Sequence, residues 1–501
     1  MRILISGGAG LLADALAAQL GVTHEVVANA ARPGTAAGFE AVIRFVPQGR
    51  GESDQERLWN AAADTYDLVT TLRAGARFIL VSTLAIFEAT PPDWRVTEDW
   101  RPHPTTSIDD LVTHVTEAVV REGARALPIK GVVLRMGTVV AQGAEPDRRG
   151  VHVADAVRAV ELALTFEPPA GYMWGWPQPR HGWWVFHITG AGPNRRFVSG
   201  METRDVLGYA PRHDVATGAP APEPMPPPAP LPPKPAARPI RNVVVFGAWG
   251  PLGAAVAERL RHHYRLRLCD VRSLDEALAR PPAVRGDPRP RHLGPDHEER
   301  VVDITDPAQV SAAVEGMDAV VNVSVNRTGG ALAFGVNMAG CHAIMTAVLA
   351  HGIRRIVQTG PEQTTDRQQG GHWSDFAIPS DASPRPGTRL YFLSKFLGQE
   401  ICRIHAEAHG LEVAALLFGH LRDPRDVDRD TIEGMPIVVS WEDAAEAIRC
   451  ALAVPTLPKP FEVFNVVADL PHDKVANTTA KERLGWLPKD DLRVVWTRAE
   501  D

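Results

Sequence analysis

The stretch NVVVFGAWGPLGAAVAERL, residues Asn242 to Leu260, decides the fold. An apolar, strand-like run enters a turn carrying Gly247, Gly250 and Gly253, and an alanine-rich helical pattern follows. Glycines at that spacing permit a tight turn, close backbone approach to a pyrophosphate and close packing of helix on strand. The N-terminus of the helix would offer oriented N–H groups to the phosphates. A glycine pattern alone also suits a turn that merely packs, but the strand–turn–helix setting favours a dinucleotide site. The next apolar run, YRLRLCD, ends on Asp270, where a carboxylate can accept hydrogen bonds from an adenosine ribose and would repel a 2′-phosphate. NAD(H) is therefore expected in preference to NADP(H). Further on, VVDITD places Asp303 and Ile304 at a strand end that would meet the adenine.

Working outward, similar segments occur earlier in the chain and in the same order. ILISGGAGLLADALA answers to VVVFGAWGPLGAAVA, RAGARFILVST to AHGIRRIVQTG, and GVVLRMGTVV to EVAALLFGHL. Each block closes on a Leu-Gly-aromatic-x-Pro turn, VLGYAP in one and RLGWLP in the other. Short apolar strands alternating with helical patterns argue for parallel sheets covered by helices on both faces. Between the blocks lies PAPEPMPPPAPLPPKPAARP, Pro220 to Pro239, in which 11 of 20 residues are proline, too many for helix or sheet interior. It reads as a polyproline II spacer, at most roughly 60 Å long at about 3.1 Å per residue. The expected architecture is α/β: two tandem Rossmann-like, doubly wound parallel-sheet domains, 1–215 and 240–501, joined by a Pro-rich linker, 216–239.

The net charge of −7 gives no electrostatic case for nucleic acid or an anionic membrane. Cys269, Cys341, Cys402 and Cys450 lack metal-type spacing and read as buried free thiols, which fits a reducing compartment. MRILISGG enters a strand with no leader-like pattern, and no apolar run approaches the roughly 18 residues of a membrane span. A cytoplasmic protein without metal, nucleic-acid or membrane partners is expected.

The glycine turns, together with VVDITD, VNMAG, YFLSK, SWEDAAEA, EVFNV and RLGWLP, resemble the extended short-chain dehydrogenase/reductase family, of the NAD-dependent epimerase/dehydratase type. The resemblance covers nearly the whole chain as two copies, the first degenerate. It implies a small, hydroxyl-bearing, sugar-like substrate and a catalytic Tyr-x-x-x-Lys pair, here Tyr391 and Lys395. Positions i and i+4 share a helix face, and an ammonium beside a phenol stabilises phenolate, drawing the pKa below its ordinary value of about 10. Lowering it by roughly three units takes about 4 kcal/mol. Tyr391 would remove a hydroxyl proton, and Lys395 would also hold the nicotinamide ribose.

The pattern breaks in two places. The family's catalytic hydroxyl falls at Pro361, which leaves Thr359, Gln363, Thr364 and Thr365 nearby, with Thr359 as the expected substrate anchor; TGPEQ offers Glu362 as the one further acid. In the first half, Thr83 is well placed, but Asp109 and Thr113 stand where tyrosine and lysine would align. Asp109 reads as a first-turn helix acid. The first half also has Gly7 and Gly10 with Ala13 at the third position, only Asn29 and Arg32 near the end of its second strand, and little room for a strand matching the one before VVDITD. A shortened sheet without proton-transfer machinery and with a weakened or absent nucleotide site is expected. This half could act as a pseudo-dimer partner within the chain. The rival reading is a non-catalytic dinucleotide sensor or scaffold.

Overall fold

The apolar runs of the second half fold as strands buried along most of their length. They are β7 (Asn242–Phe246), β8 (Arg265–Asp270), β10 (Ala319–Asn322), β11 (Arg355–Pro361), β12 (Glu412–Phe418) and β13 (Phe461–Val466), with the exposed edge strand β9 (Glu298–Val301). All pair in parallel, in the order β9-β8-β7-β10-β11-β12-β13. Parallel strands need crossovers, and helices supply them. Helices α5 (Pro251–Leu260) and α9 (Trp441–Ala453) pack together over one face. The other face carries α6 (Pro307–Val314), α7 (Gly340–Ala350) and α8 (Leu390–His409). The strand order reverses between β7 and β10, so the crevice of a doubly wound sheet opens at their carboxyl ends.

The first half builds a second parallel sheet from β1 (Arg2–Ser6), β2 (Glu25–Asn29), β3 (Ala41–Phe45), β4 (Arg77–Thr83), β5 (Lys130–Met136) and β6 (Trp183–Ile188), in the order β6-β5-β4-β3-β1-β2. Helices α1 (Leu11–Leu20) and α4 (Val153–Thr165) cover one face, and α2 (Asp54–Thr71) and α3 (Ile108–Ala126) the other. Among the described residues β2 is the edge, with no counterpart of β9 outside it.

The structure, a computed structural model, describes residues 1–495 except 9, 30–34, 48–52, 92–93, 142–149, 168–171, 174–175, 178–181, 192–196, 198–201, 214–237, 283–285, 328, 363–376 and 426–436. Most of the proline-rich segment, half of the aromatic stretch GYMWGWPQPRHGWW (171–184), and Arg32, Gln363, Thr364 and Thr365 lie outside the described residues. The chain divides into two compact units, Met1–Pro230 and Leu231–Asp501.

Both closing turns act as anchors. Gly208 (φ 73°) and Gly485 (φ 63°) take the left-handed conformation that a glycine adopts without strain. The aromatic residue after each is fully buried: the Tyr209 hydroxyl donates to the Thr189 carbonyl at 2.9 Å, and the Trp486 indole to the Asp443 carbonyl at 2.9 Å. All four cysteines are free and buried. One expectation needs correcting. The helical run Ala331–Ala350 is long and apolar enough to cross a membrane by length and composition, yet 72% of its apolar window is buried inside the protein. Its lack of charge reflects packing between other elements.

Candidate functional site

The glycines that shape the turn after β7 are required by space. A Cβ on Gly247 would lie 2.7 Å from the Ser324 backbone, and one on Gly253 only 2.2 Å from the Gly247 carbonyl oxygen. Neither position can carry a side chain without moving backbone. Gly250 is different. Its φ of −71° suits any residue, and a Cβ there would meet nothing nearer than the Gly247 carbonyl at 3.6 Å. The space over Gly250 is therefore open, beside an α5 N-terminus with no side-chain cap. Uncapped N–H groups next to an open cradle fit a phosphate.

Asp270 closes β8 and is 9% exposed. Its carboxylate accepts from the Trp249 N–H at 3.1 Å and the Arg272 N–H at 3.4 Å, tying the glycine turn to the second strand. Burial pushes its pKa up, against the pull of those N–H groups and of Arg272. Two carboxylate oxygens offer about four acceptor sites, so a ribose hydroxyl could still be bound. Asp303 folds its own turn, accepting from the Thr305 N–H and hydroxyl at 2.9 and 2.8 Å. Ile304 is 7% exposed and packs on Gly340 at the start of α7.

Helix α8 carries Tyr391 and Lys395 to the same crevice. A Cβ on Gly398 would sit 2.0 Å from the Asn337 carbonyl, so only glycine lets α8 approach this closely. Its partner there, Gly335–Ala339, is a π-helical turn, a feature common at functional sites. The turn aims Asn337 at the loop after β10 and at α8. Its side chain exchanges hydrogen bonds with the Asn326 backbone at 2.7 and 2.9 Å and donates to the Ser394 hydroxyl at 2.9 Å. Gly410 (φ 62°) ends the helix.

Within this site the expected pairing of Tyr391 with Lys395 is not what forms. The buried Lys395 ammonium donates to the carbonyls of Ser324 at 2.8 Å and Thr359 at 3.3 Å, and burial brings its pKa down to about 8. The cation beside the partly buried Tyr391 is Arg327, whose guanidinium lies 5.4 Å from the ring centroid. Burial pushes the phenol above its ordinary value, and Arg327 only partly opposes this. Burial thus leaves the phenol less acidic than expected, and the ammonium expected beside it is held by the Ser324 and Thr359 carbonyls. Thr359, the expected substrate anchor, faces the neighbouring strand. Its hydroxyl donates back into the sheet, to the Asn322 carbonyl at 2.9 Å, and the residue is 5% exposed. Glu362, next after Pro361, is buried to 1% exposure.

Motif reading missed the polar floor beneath the crevice. Asn322 donates to Gln358 at 2.9 Å and accepts from the Ser324 hydroxyl at 2.6 Å, which fixes the end of β10. Asn337 lies inside the VNMAG motif and could have been found there; Arg327 lies in a loop with no periodic signal.

In the first unit, the Thr83 hydroxyl accepts from the Ala85 N–H at 3.1 Å and caps a short 3₁₀ turn. Asp109 is an exposed first-turn acid of α3, ion-paired with Arg57, and the Thr113 hydroxyl donates to the Asp109 carbonyl at 2.7 Å. These residues assemble no proton-transfer pair.

Residues 243–436, less than half of the chain, match the NAD dependent epimerase/dehydratase family. Among characterised proteins, a uronate dehydrogenase of Pseudomonas putida is 28% identical over 184 residues, 36% of this chain and 61% of that protein. A uronate dehydrogenase of Pseudomonas syringae pv. tomato is 26% identical over 263 residues, covering 51% and 84%. An NAD-dependent glucose-6-phosphate dehydrogenase of Haloferax volcanii is 24% identical over 264 residues, covering 50% and 93%. The solved uronate dehydrogenase from Agrobacterium tumefaciens aligns with a TM-score of 0.40 at 24% identity, over 52% of this chain and 91% of that one. The chain thus carries a domain of the epimerase/dehydratase type at residues 243–436.

Proposed function

We propose that the second unit is an NAD-dependent dehydrogenase acting on a hydroxyl of a sugar acid or related sugar. The observation that carries this reading is the convergence at one crevice of a glycine turn where two positions tolerate no side chain and the helix bearing Tyr391 and Lys395. Gly247, Gly250, Gly253 and the N-terminus of α5 would hold the pyrophosphate, and Asp270 the adenosine ribose, with Asp303 and Ile304 bordering the adenine. NAD supplies the hydride acceptor when bound. Tyr391 would take the proton from the substrate hydroxyl, with Arg327 as the cation that favours its phenolate against the effect of burial. Lys395, bound to the Ser324 carbonyl after β10 and the Thr359 carbonyl within β11, fixes the floor on which the nicotinamide ribose would rest. The family match and the relatives named for sugar and uronate oxidation support the substrate class.

In this reading the chain comprises a first domain (1–215), a linker (216–239) and the catalytic domain (240–501). The first domain is read as a degenerate copy that lacks proton-transfer groups.

A second reading, a dinucleotide sensor without turnover, is favoured by two particulars: the Thr359 hydroxyl is committed to Asn322, and Pro361 stands at the strand end. Losing one such electrostatic contact costs on the order of a hundredfold in rate. The discriminating experiment is NAD⁺ reduction followed at 340 nm with hexuronates and aldoses, using Tyr391→Phe as the control. Oxidation that falls roughly 1000-fold in Tyr391→Phe supports the dehydrogenase, since general acid–base groups contribute about 10²–10⁴. NAD⁺ binding without turnover of any of them favours the sensor.

A further inference from the structure

Two cations stand near Tyr391, and they are differently placed. Lys395 is 4% exposed, and its ammonium is bound to two backbone carbonyls, so it is not presented to a substrate anion. Arg327 is exposed, on the loop that leaves β10 for Ala331, with its guanidinium over the Tyr391 ring. Among the described residues it has no carboxylate partner. A guanidinium presents five N–H donors in a planar fork that matches a carboxylate with two parallel hydrogen bonds. Such an arginine, turned toward a crevice and without an acid of its own, can meet an anion brought by the ligand.

The chemistry of a hexuronate gives that placement meaning. In the pyranose form, C1 with its hydroxyl and C5 with its carboxylate flank the same ring oxygen. A protein that removes the proton of the C1 hydroxyl and also reads the carboxylate must hold a base and a cation side by side at one end of the sugar. Tyr391 and Arg327 are such neighbours, and the loop and helix that carry them are joined through Asn337, which binds both Asn326 and Ser394.

We propose that Arg327 forms a carboxylate-binding subsite beside Tyr391, so that the second unit selects sugar acids over the matching neutral sugars. The inference rests on the dehydrogenase reading for placing the reacting carbon at Tyr391, and its test therefore reads binding separately from turnover. D-glucuronate and D-galacturonate, with D-glucose and D-galactose as neutral counterparts, are titrated calorimetrically into the intact chain, with and without NADH. NADH cannot oxidise these ligands, so binding is observed alone. At least one acid is expected to bind roughly 30- to 100-fold more tightly than its neutral counterpart. Arg327→Met should abolish that preference, Arg327→Lys should restore part of it, and NADH affinity should be the same in all three proteins. Arg327 is exposed, so folding is not at stake, and an unchanged melting temperature checks this. The proposal is overturned if neither acid binds the parent more tightly than its neutral sugar, or if Arg327→Met keeps the preference. It is equally overturned if Arg327→Met weakens NADH, which would assign the arginine to the cofactor. Preferential acid binding with no NAD⁺ reduction would instead sink only the dehydrogenase reading.

Discussion

Asn322 in the second unit and Arg44 in the first occupy the same station: each lies beside the last residue of the strand that enters its glycine turn, Phe246 and Ser6 respectively. Asn322 is a neutral amide inside a hydrogen-bonded floor, and the space over Gly250 stays open. Arg44 donates through Nη1 to the Ser6 hydroxyl at 2.8 Å, while its Nε is buried without a partner. Burial pulls the guanidinium below its ordinary value, opposed by Asp64. The neighbouring Phe45 ring lies against Gly8, 2.5 Å from where a Cβ would stand. The turn itself also differs: Gly10 caps α1 at φ 99°, whereas Gly250 caps α5 at φ −71°. The shared strand–turn–helix framework therefore leaves free space over Gly10 as over Gly250, but in the first unit Arg44 and Phe45 crowd Gly7 and Gly8 and the capping glycine takes a positive φ.

A second contrast lies one turn further along the helices. Ser82 and Arg135 sit side by side on neighbouring strands, and Glu117 of α3 binds both, accepting from Ser82 at 2.6 Å and from Arg135 at 2.7 and 3.1 Å. Burial pushes Glu117 up, but Arg135 and Ser82 outweigh it and hold the carboxyl below its usual range. At the corresponding strand positions the second unit has Gly360 beside Leu417, with Gln399 of α8 near Gly360. Where the second unit has an apolar residue and an amide, the first unit has a buried ion pair whose groups bind one another.

The largest effect that could break this comparison comes from that pair. Arg135→Met should destabilise the first unit by about 3–5 kcal/mol, because it leaves Glu117 charged and buried. Leu417→Met in the second unit should cost less than about 1.5 kcal/mol. Urea unfolding with the intrinsic fluorescence of each unit resolved tests both, and equal losses would mean the two positions are structurally alike.

Next comes the pH response of Lys395. In the folded protein it releases its proton at about 8, against an ordinary value of 10.5. Between those values the unfolded state holds more protons, so this lysine makes stability rise with pH through that window. The parent should therefore gain on Lys395→Met from pH 8 to 10, by up to ~3 kcal/mol. Melting temperatures of both proteins across that range measure it, and parallel curves would show an ammonium that is not desolvated.

The smallest effect concerns Arg44. Arg44→Met removes a buried charge with no hydrogen-bonded carboxylate and should stabilise the first unit by about 1 kcal/mol, read as a higher urea midpoint. A lower midpoint would make the arginine a structural asset.

Much of this was legible in the chain. Buried parallel strands read as continuous apolar runs, and NVVVF and EVAALLF fold accordingly. The short second loop of the first half, from ANAARPG to FEAVIRFVP, foretold a sheet without an outer third strand among the described residues. What remained illegible was three-dimensional choice. The i and i+4 spacing puts Tyr391 and Lys395 on one helix face but does not say that the Ser324 and Thr359 carbonyls bind the ammonium. Thr359 alternates with its neighbours along β11, and only the register with β10 shows its hydroxyl reaching Asn322. Arg327 belongs to a loop, where no periodicity assigns a direction.

The measurement that tests the central claim most directly is calorimetric titration of NAD⁺ into the intact chain, with Gly250→Trp beside it. Gly250 has a backbone conformation open to any residue and free space over it, so the indole should fill the cradle without disturbing the fold. One site per chain, lost in Gly250→Trp, is the expected result. Two sites, or a single site that survives Gly250→Trp, would contradict the account and make the first unit a nucleotide receptor.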